Sequence, residues 1–225
     1  GSAETLQYLL ARDSIHGAMQ DSVELDGNHL IVKGQRVRVI SGGEPGTIPW
    51  DALQADVVVD ATGRFLTREK LALHLESGAK RVLLTRNPKN EIDRYVIPGI
   101  NESSISLSDE IISTTSSTTQ VLALMVKMLD ETFGLQRAMM TTVHAYTADQ
   151  PLADVAGADL RRSRSAVENI IPNTTQSPDL VQKIMPQYKG KIEGIAFNVP
   201  VPNGSCVDLT TELDRTPTIE QTNQA

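Results

Sequence analysis

Hydroxyl side chains are concentrated in the segment STTSSTTQ, residues 113–120, directly before the apolar run VLALMVKML. Hydroxyls and backbone N–H groups at the start of a helix favour an anion, and such a loop is also a place for a nucleophile. His144, at the end of a predicted strand, can supply a base. A basic segment further along can add charge-assisted bonds to phosphate; it contains Arg161, Arg162, Arg164, Thr174 and Thr175. The pattern predicts a site for a phosphorylated small molecule.

The same residues also admit a purely structural interpretation. The hydroxyl segment can serve only to cap the helix that follows it. A single histidine, such as His144, more often completes a hydrogen bond in the core than acts as a base. The residue types and their spacing therefore leave both interpretations open.

The composition limits the classes of partner. The chain has 225 residues, a formal net charge of -7 and a pI near 5.1. Phosphate backbones and acidic membranes would repel most of such a surface, so we expect neither a nucleic acid nor a membrane as partner. No apolar run approaches the ~18 residues of a membrane span, and the start GSAETLQYLL lacks the pattern of a signal peptide. We therefore expect a soluble, cytoplasmic protein.

Metal and disulfide chemistry find few ligands in the sequence. A single cysteine, Cys206, excludes an internal disulfide and any zinc site built from several cysteines. The four histidines show no spacing typical of metal ligands; they are His16, His29, His74 and His144. We expect no metal site.

The elements that must position these residues fall into two halves. After a short helical pattern at residues 5–10, two Xaa-Gly turns between alternating segments predict a β-meander. The β-branched run DVVVD from Asp56 is typical of a strand buried on both faces, and with the helical pattern at residues 67–77 and the strand RVLLT it predicts a βαβ unit. Two further strands, RYVIPGIN and EIIST, follow it.

A helix with an apolar stripe begins the second half. The stripe is interpreted as core and comprises Val121, Leu124, Met125, Met128 and Leu129. Beyond it lie the strand AMMTTVHAY, a long irregular segment, a short helix DLVQKIM and two long strands around PVPNG, which favour an antiparallel sheet. The predicted fold is α/β plus α+β: an incomplete Rossmann-like parallel sheet over residues 1–115, then a mostly antiparallel sheet with helices over 116–225.

Six segments occur in the order of one known family. They are DSIHG from Asp13, DATGRFLTREKLALHLESGAKRV from Asp60, STTSSTTQ from Ser113, TTVHAYTADQ from Thr141, DLRRSRSAVENIIPNTT from Asp159 and GIAFNVPVPNGSCVDLT from Gly194. In these segments the chain resembles the glyceraldehyde-3-phosphate dehydrogenase family, a relative of the erythrose-4-phosphate dehydrogenases, over nearly its whole length. The resemblance implies an NAD-binding domain and then a catalytic domain whose antiparallel sheet packs at a tetramer interface.

The resemblance also implies a mechanism and its residues. A cysteine thiolate attacks the aldehyde, a histidine acts as base, hydride passes to NAD and phosphate releases the thioester. Several positions match this pattern. By resemblance, His144 is the base, the substrate or phosphate residues are Ser116, Thr118, Thr147, Arg162 and Thr175, and the cofactor contacts are Thr62, Gly63 and Thr85.

Three positions depart from the family pattern. Ser117 stands where the family has its nucleophilic cysteine, and an alcohol must lose its proton during attack, so thioester chemistry is excluded there. Asn198 stands where the family has an arginine shared by two phosphate sites, and losing one charged partner costs about 1.5–3 kcal/mol. Gln176 follows Thr175 where the family has glycine, which adds a side chain where the backbone must approach an anion.

The cofactor unit is also affected. Residues before Ala3 do not supply the Gly-rich βαβ unit that holds the dinucleotide in the family, so NAD binding by this chain is in doubt. A parallel sheet without that unit exposes an edge, which we expect self-association or a protein partner to cover.

These departures predict a non-catalytic pseudoenzyme that acts as an interaction or regulatory module. One alternative is an NAD-dependent oxidoreductase on an aldehyde or sugar phosphate, completed by a partner or a longer chain. A lesser alternative is an esterase that uses Ser117 with His144.

Overall fold

The structure, a computed structural model, describes residues 1–225 and divides into two compact units, Gly1–Ile48 and Pro49–Ala225. This division by contacts lies elsewhere than the predicted domain boundary after residue 115. That boundary stays a prediction.

The first unit contains a helix and the predicted meander. Helix α1 (Ala3–Ala11) begins after Ser2, whose hydroxyl accepts a hydrogen bond from the Thr5 N–H. Two short antiparallel strands follow, β1 (Arg12–Asp13) and β2 (Gly17–Ala18). The meander is confirmed as the antiparallel strands β3 (Val23–Asp26), β4 (His29–Val32) and β5 (Gln35–Arg38).

The second unit begins with the predicted parallel sheet. Strand β6 (Val57–Asp60), helix α2 (Arg68–Glu76) and strand β7 (Arg81–Leu84) form the βαβ unit, since β6 and β7 pair in parallel. Strands β8 (Arg94–Tyr95) and β9 (Ile111–Ser113) complete a four-stranded sheet in the order β6-β7-β9-β8. Every pairing in it is parallel, which confirms the Rossmann-like class.

Strand β6 is not buried on both faces, so that prediction was wrong. Val58 and Asp60 are buried, whereas Val57 and Val59 are 53% and 56% exposed. The strand lies at the edge of the sheet, and its outward face lacks a covering layer. A run of valines indicates a strand, but it cannot reveal which of its faces is covered.

Helix α3 (Ser117–Phe133) ends at Gly134 as predicted but buries a different stripe. Val121 and Leu124 are 44% and 45% exposed, whereas the residues buried are Thr119, Leu122, Ala123, Val126, Leu129 and Phe133. Apolar side chains occupy most sides of this helix, so periodicity alone did not fix its orientation.

The last sheet mixes parallel and antiparallel pairs. Its strands are β10 (Leu135–Ala145), β11 (Ile171–Asn173), β12 (Ile192–Val199) and β13 (Ser205–Leu213), in the order β11-β12-β10-β13. Only β10 and β12 pair in parallel, so the sheet is mostly antiparallel, as predicted. The strands around PVPNG are not a hairpin, however, because β10 lies between them. Helix α4 (Ser177–Ile184) follows β11, and helix α5 (Ile219–Gln224) lies near the C-terminus.

A buried tyrosine links helix α3 to the segment after α4. The Tyr188 hydroxyl donates to Asp130 Oδ2 at 2.8 Å, and Asp130 Oδ1 accepts from the Leu135 N–H at 2.8 Å. Burial, together with the hydrogen bond to Asp130, raises the pKa of Tyr188 to about 12. The folded state therefore holds this proton above the pH at which an unfolded tyrosine releases it.

We expect this proton to make stability depend on pH at the alkaline end. The stabilisation is complete below the unfolded pKa of about 10 and is lost as pH rises toward about 12. In Tyr188→Phe this part of the pH dependence should vanish, and about 1–2 kcal/mol should be lost at neutral pH. Urea unfolding at pH 8 and 11 tests it. Tyr146→Phe, which removes a hydroxyl without a hydrogen bond, should behave like the wild type; an unchanged pH slope in Tyr188→Phe would contradict the assignment.

Candidate functional site

The hydroxyl segment does cap a helix, but not with all its members. The Ser116 hydroxyl accepts from the Thr119 N–H at 3.2 Å and contacts the Thr119 hydroxyl at 2.8 Å. Ser117, the first residue of α3, is exposed and its hydroxyl makes no hydrogen bond, and Thr118 beside it is half-buried. The structural interpretation thus holds for Ser116 and Thr119, while Ser117 stays available at the positive end of the helix.

Thr115, directly before the cap, is strained. Its φ of 63° is in the left-handed region, where a β-branched residue is an outlier. The side chain is 1% exposed and its hydroxyl oxygen has no hydrogen-bond partner. Such strain persists only where the surroundings enforce it, and it is typical of functional loops.

A second helix begins beside the first. The Thr119 hydroxyl hydrogen-bonds the Ser177 hydroxyl at 3.0 Å, which joins the N-termini of α3 and α4. Thr175 Oγ1 accepts from the Ser177 N–H at 3.2 Å, so this predicted phosphate ligand already caps α4. Gln176 has a φ of −94°, so its backbone conformation does not require glycine. Its side chain matters only through the space it takes near an approaching anion.

His144 and Asn198 share one carbonyl. They lie side by side in the parallel pair of β10 and β12. His144 Nδ1 and Asn198 Nδ2 both contact the Ala145 carbonyl oxygen, at 2.7 and 3.2 Å. Since a carbonyl only accepts, Nδ1 carries the proton, and in neutral imidazole Nε2 keeps its lone pair. No hydrogen bond joins His144 to Ser117.

Both ends of the Asn198 amide are used. Besides the bond to Ala145, its Oδ1 accepts from Asn173 Nδ2 at 3.1 Å, and the residue is 9% exposed. The amide therefore holds the sheet together at this point, where an arginine would carry a charge toward the site. Nothing in this arrangement offers phosphate a positive partner.

Thr147 and Arg162 meet at a residue that sequence reasoning missed. The Thr147 hydroxyl donates to Asp149 Oδ1, and Arg162 Nη2 lies 2.9 Å from Asp149 Oδ2. Burial raises the pKa of Asp149, but the hydrogen bond from Thr147 and the charges of Arg162 and Arg86 offset this, and its pKa lies below the usual value. The only sequence signal was its place two residues after Thr147, within TTVHAYTADQ.

The other two arginines point to different partners. Arg164 pairs with Asp154 at 3.0 Å. Arg161 and Thr174 line an open cleft of about 630 Å³ together with Asn173 and Phe197. Of the three arginines, Arg162 alone contacts Thr147's partner.

The predicted cofactor contacts surround Asp60, at the carboxyl ends of β6 and β7. Thr62 donates to Asp60 Oδ1 through its N–H and its hydroxyl, at 2.9 and 2.7 Å. The Thr85 hydroxyl donates to the Asp60 carbonyl at 3.3 Å. Gly63 has a φ of 69°, and a Cβ built there would lie 2.7 Å from Arg86 Nη1.

These residues fit a dinucleotide. In α/β sheets such ligands bind at the carboxyl ends of the strands, and a glycine lets the phosphates approach the backbone. Arg86, which sequence reasoning also missed, adds a positive charge beside Gly63. Its signal in the sequence was only its position directly after the strand RVLLT.

Known proteins resemble this chain along its whole length. Residues 116–225 match the family model "Glyceraldehyde 3-phosphate dehydrogenase, C-terminal domain" and residues 1–68 match "Glyceraldehyde 3-phosphate dehydrogenase, NAD binding domain". Glyceraldehyde-3-phosphate dehydrogenase from Geobacillus stearothermophilus is 44% identical over 224 residues, which are 99% of this chain and 67% of that protein. The chain belongs to the glyceraldehyde-3-phosphate dehydrogenase family. This confirms the resemblance and supports NAD as the cofactor of the family.

Other family members are similar to the chain to nearly the same degree. Glyceraldehyde-3-phosphate dehydrogenase 2 from Bacillus subtilis is 44% identical over 225 residues, 100% of the chain and 66% of the relative. The Streptomyces coelicolor glyceraldehyde-3-phosphate dehydrogenase is 41% identical over 226 residues, 100% of the chain and 67% of the relative. The chain thus spans about two thirds of the length of these relatives. None of its helices is both long enough and apolar enough to cross a membrane.

Proposed function

We propose that this member of the family does not form a thioester and instead acts as a binding or regulatory module. The observation that carries the proposal is Ser117, which is at the N-terminus of α3, where the family pattern has cysteine. A thiol is a few per cent thiolate at neutral pH, whereas an alcohol needs a base during attack. His144 makes no hydrogen bond to Ser117 and is oriented by the Ala145 carbonyl.

The remaining cysteine does not replace the missing one. Cys206 is exposed on β13, where it pairs with Val143 rather than lying on α3. The phosphate groups are altered as well, since the amide of Asn198 is used within the sheet and Thr175 caps α4. Several parts of the family mechanism therefore differ together, which supports loss of that activity.

Ligand binding is the part of the family behaviour that we propose is retained. The turn of Thr62 and Gly63, with Thr85 and Arg86, would hold NAD by its phosphates. We propose self-association or a protein partner for the outward face of β6, where Val57 and Val59 are exposed. NAD titration by calorimetry tests the first part, and sedentation of the purified chain by analytical ultracentrifugation tests the second.

Ser117→Cys should not restore phosphorylating dehydrogenase activity. The new thiol meets no hydrogen-bonded base, and Asn198 supplies no charge for phosphate. NADH formation from glyceraldehyde 3-phosphate, NAD and phosphate is the measurement, with Ser116→Cys as the matched control. Robust NADH formation by Ser117→Cys would sink the proposal, and activity of the unmodified chain would do so more directly.

A second candidate is an NAD-dependent oxidoreductase whose site is completed by more chain or by a partner. It is favoured by the names of the relatives and by the two thirds of their length that this chain spans. Micromolar NAD binding together with aldehyde oxidation, in any longer form of the chain, would select this candidate. The esterase alternative has less support, because Ser117 and His144 are not hydrogen-bonded; ester hydrolysis lost in Ser117→Ala would revive it.

A further inference from the structure

Asp149 takes up two hydrogen-bond donors that would otherwise face a ligand. Thr147 and Arg162 are matched to the substrate or phosphate sites of the family, yet each donates to a different oxygen of this carboxylate. One oxygen accepts the Thr147 hydroxyl, and the other accepts Arg162 Nη2 at 2.9 Å. The geometry is that of an anion held by a hydroxyl and a guanidinium, with the anion supplied by the chain itself.

We infer that Asp149 is an internal counter-anion that occupies this anion site and excludes phosphate from it. The inference rests on the proposed function, because it explains how the family's phosphate groups can persist in a chain that does not turn phosphate over. A phosphate bound there must displace the carboxylate or lie beside it, and two like charges at such a distance repel.

The surroundings of Asp149 support a ligand site rather than an isolated surface pair. Asp149, Gln150, Arg162 and Ser163 line an open cleft of about 420 Å³. Gln150 is 6% exposed, and its Nε2 has no hydrogen-bond partner although its Oε1 accepts from the Thr147 N–H at 3.1 Å. A buried donor without a partner is rare in proteins and indicates an acceptor from outside the chain.

A second cation strengthens the same point. The charge of Arg86 acts on Asp149, and its guanidinium also lies beside Gly63 in the predicted cofactor turn. With the carboxylate in place, one negative charge is set against Arg86 and Arg162. Without it, the two arginines and Thr147 would present an uncompensated site for an anion.

The test is phosphate binding by charge-neutral variants. Asp149→Asn keeps the shape of the side chain and Asp149→Ala removes it, so one of them folds even where the other does not. Both should bind inorganic phosphate at least about tenfold more tightly than the wild type, because two donors are released and a repelling charge is removed. Binding is measured by isothermal titration calorimetry at constant ionic strength.

Two controls separate this effect from a change in net charge. Asp154→Asn makes the same charge change at the partner of Arg164, in the same segment, and should leave phosphate affinity unchanged. The gain in Asp149→Asn should be lost when Arg162→Ala is added, but kept when Arg161→Ala is added instead.

Several results would overturn the inference. These are wild-type binding as tight as that of Asp149→Asn, no binding by either Asp149 variant, an equal gain in Asp154→Asn, or a gain that survives Arg162→Ala. The readout needs neither aldehyde nor NAD. A failure here therefore leaves the proposed loss of catalysis standing, whereas dehydrogenase activity of the chain would overturn that proposal without changing the phosphate affinities.

Discussion

Replacing Leu122 by alanine should lower the free energy of unfolding by about 3–5 kcal/mol. The side chain is fully buried in the cluster that joins helix α3 to the mixed sheet, whose members include Ile97, Val126, Met140 and Val181. Removing three carbons from such a site loses their burial and leaves a cavity that the packed neighbours only partly fill. Chemical denaturation monitored by circular dichroism gives the change directly.

The matched control is Leu124→Ala, two residues along the same helix. Leu124 is 45% exposed, so the same truncation should cost less than about 1 kcal/mol. Equal losses in the two variants would show that α3 is oriented differently from the structure. The comparison therefore also tests which of the two stripes faces the core.

Leu122 bears on the candidate site as well as on stability. It lies five residues after Ser117 on the same helix, and α3 is joined at its start to α4 by the contact of Thr119 with Ser177. A helix that shifts into the cavity would move both hydroxyls. We therefore expect any ligand measurement on Leu122→Ala to change together with its stability.

Gly78→Ala should destabilise the chain by about 2–5 kcal/mol. Gly78 follows helix α2 with a φ of 103°, which side chains of L-residues rarely adopt. A Cβ there would lie 2.7 Å from the Asp51 backbone nitrogen and 2.6 Å from its Cβ. Backbone cannot move aside as a flexible side chain does, so the clash adds to the cost of the conformation.

Gly190→Ala separates the two parts of that cost. Gly190 has a φ of 76° but no atom within 4 Å of a built Cβ, so only the conformational part applies, about 1–2 kcal/mol. Thermal and denaturant unfolding of both variants measure the difference. A Gly190→Ala variant as unstable as Gly78→Ala would contradict the proposed role of Asp51.

Sequence reasoning succeeded where structure is set by short-range patterns. The Xaa-Gly turns at Gly27 and Gly34 placed the meander, and both glycines have positive φ values, as these turns require. The βαβ unit followed from a strand, helix, strand pattern whose geometry is nearly fixed. Helix α3 was located correctly, but its orientation was not, because which apolar side faces inward depends on the rest of the fold.

The candidate site divides in the same way. Residue types and family resemblance select Ser117, His144, Thr147 and Arg162, but a sequence does not tell which hydrogen-bond partner a side chain finds. That Thr147 and Arg162 both bind Asp149 depends on how the segment after β10 folds back, and no periodic pattern describes that segment. The same holds for Asn198, whose bond to Asn173 requires β11 and β12 to be neighbours.

The position of Cys206 has a practical consequence. It is the single cysteine of the chain, it is exposed, and on β13 it follows Ser205, the residue that pairs with His144. A maleimide fluorophore would therefore attach at one known point near the candidate site without any mutagenesis. Such a label would report ligand arrival at His144 as a change in emission, and would let the binding experiments proceed at nanomolar protein concentrations.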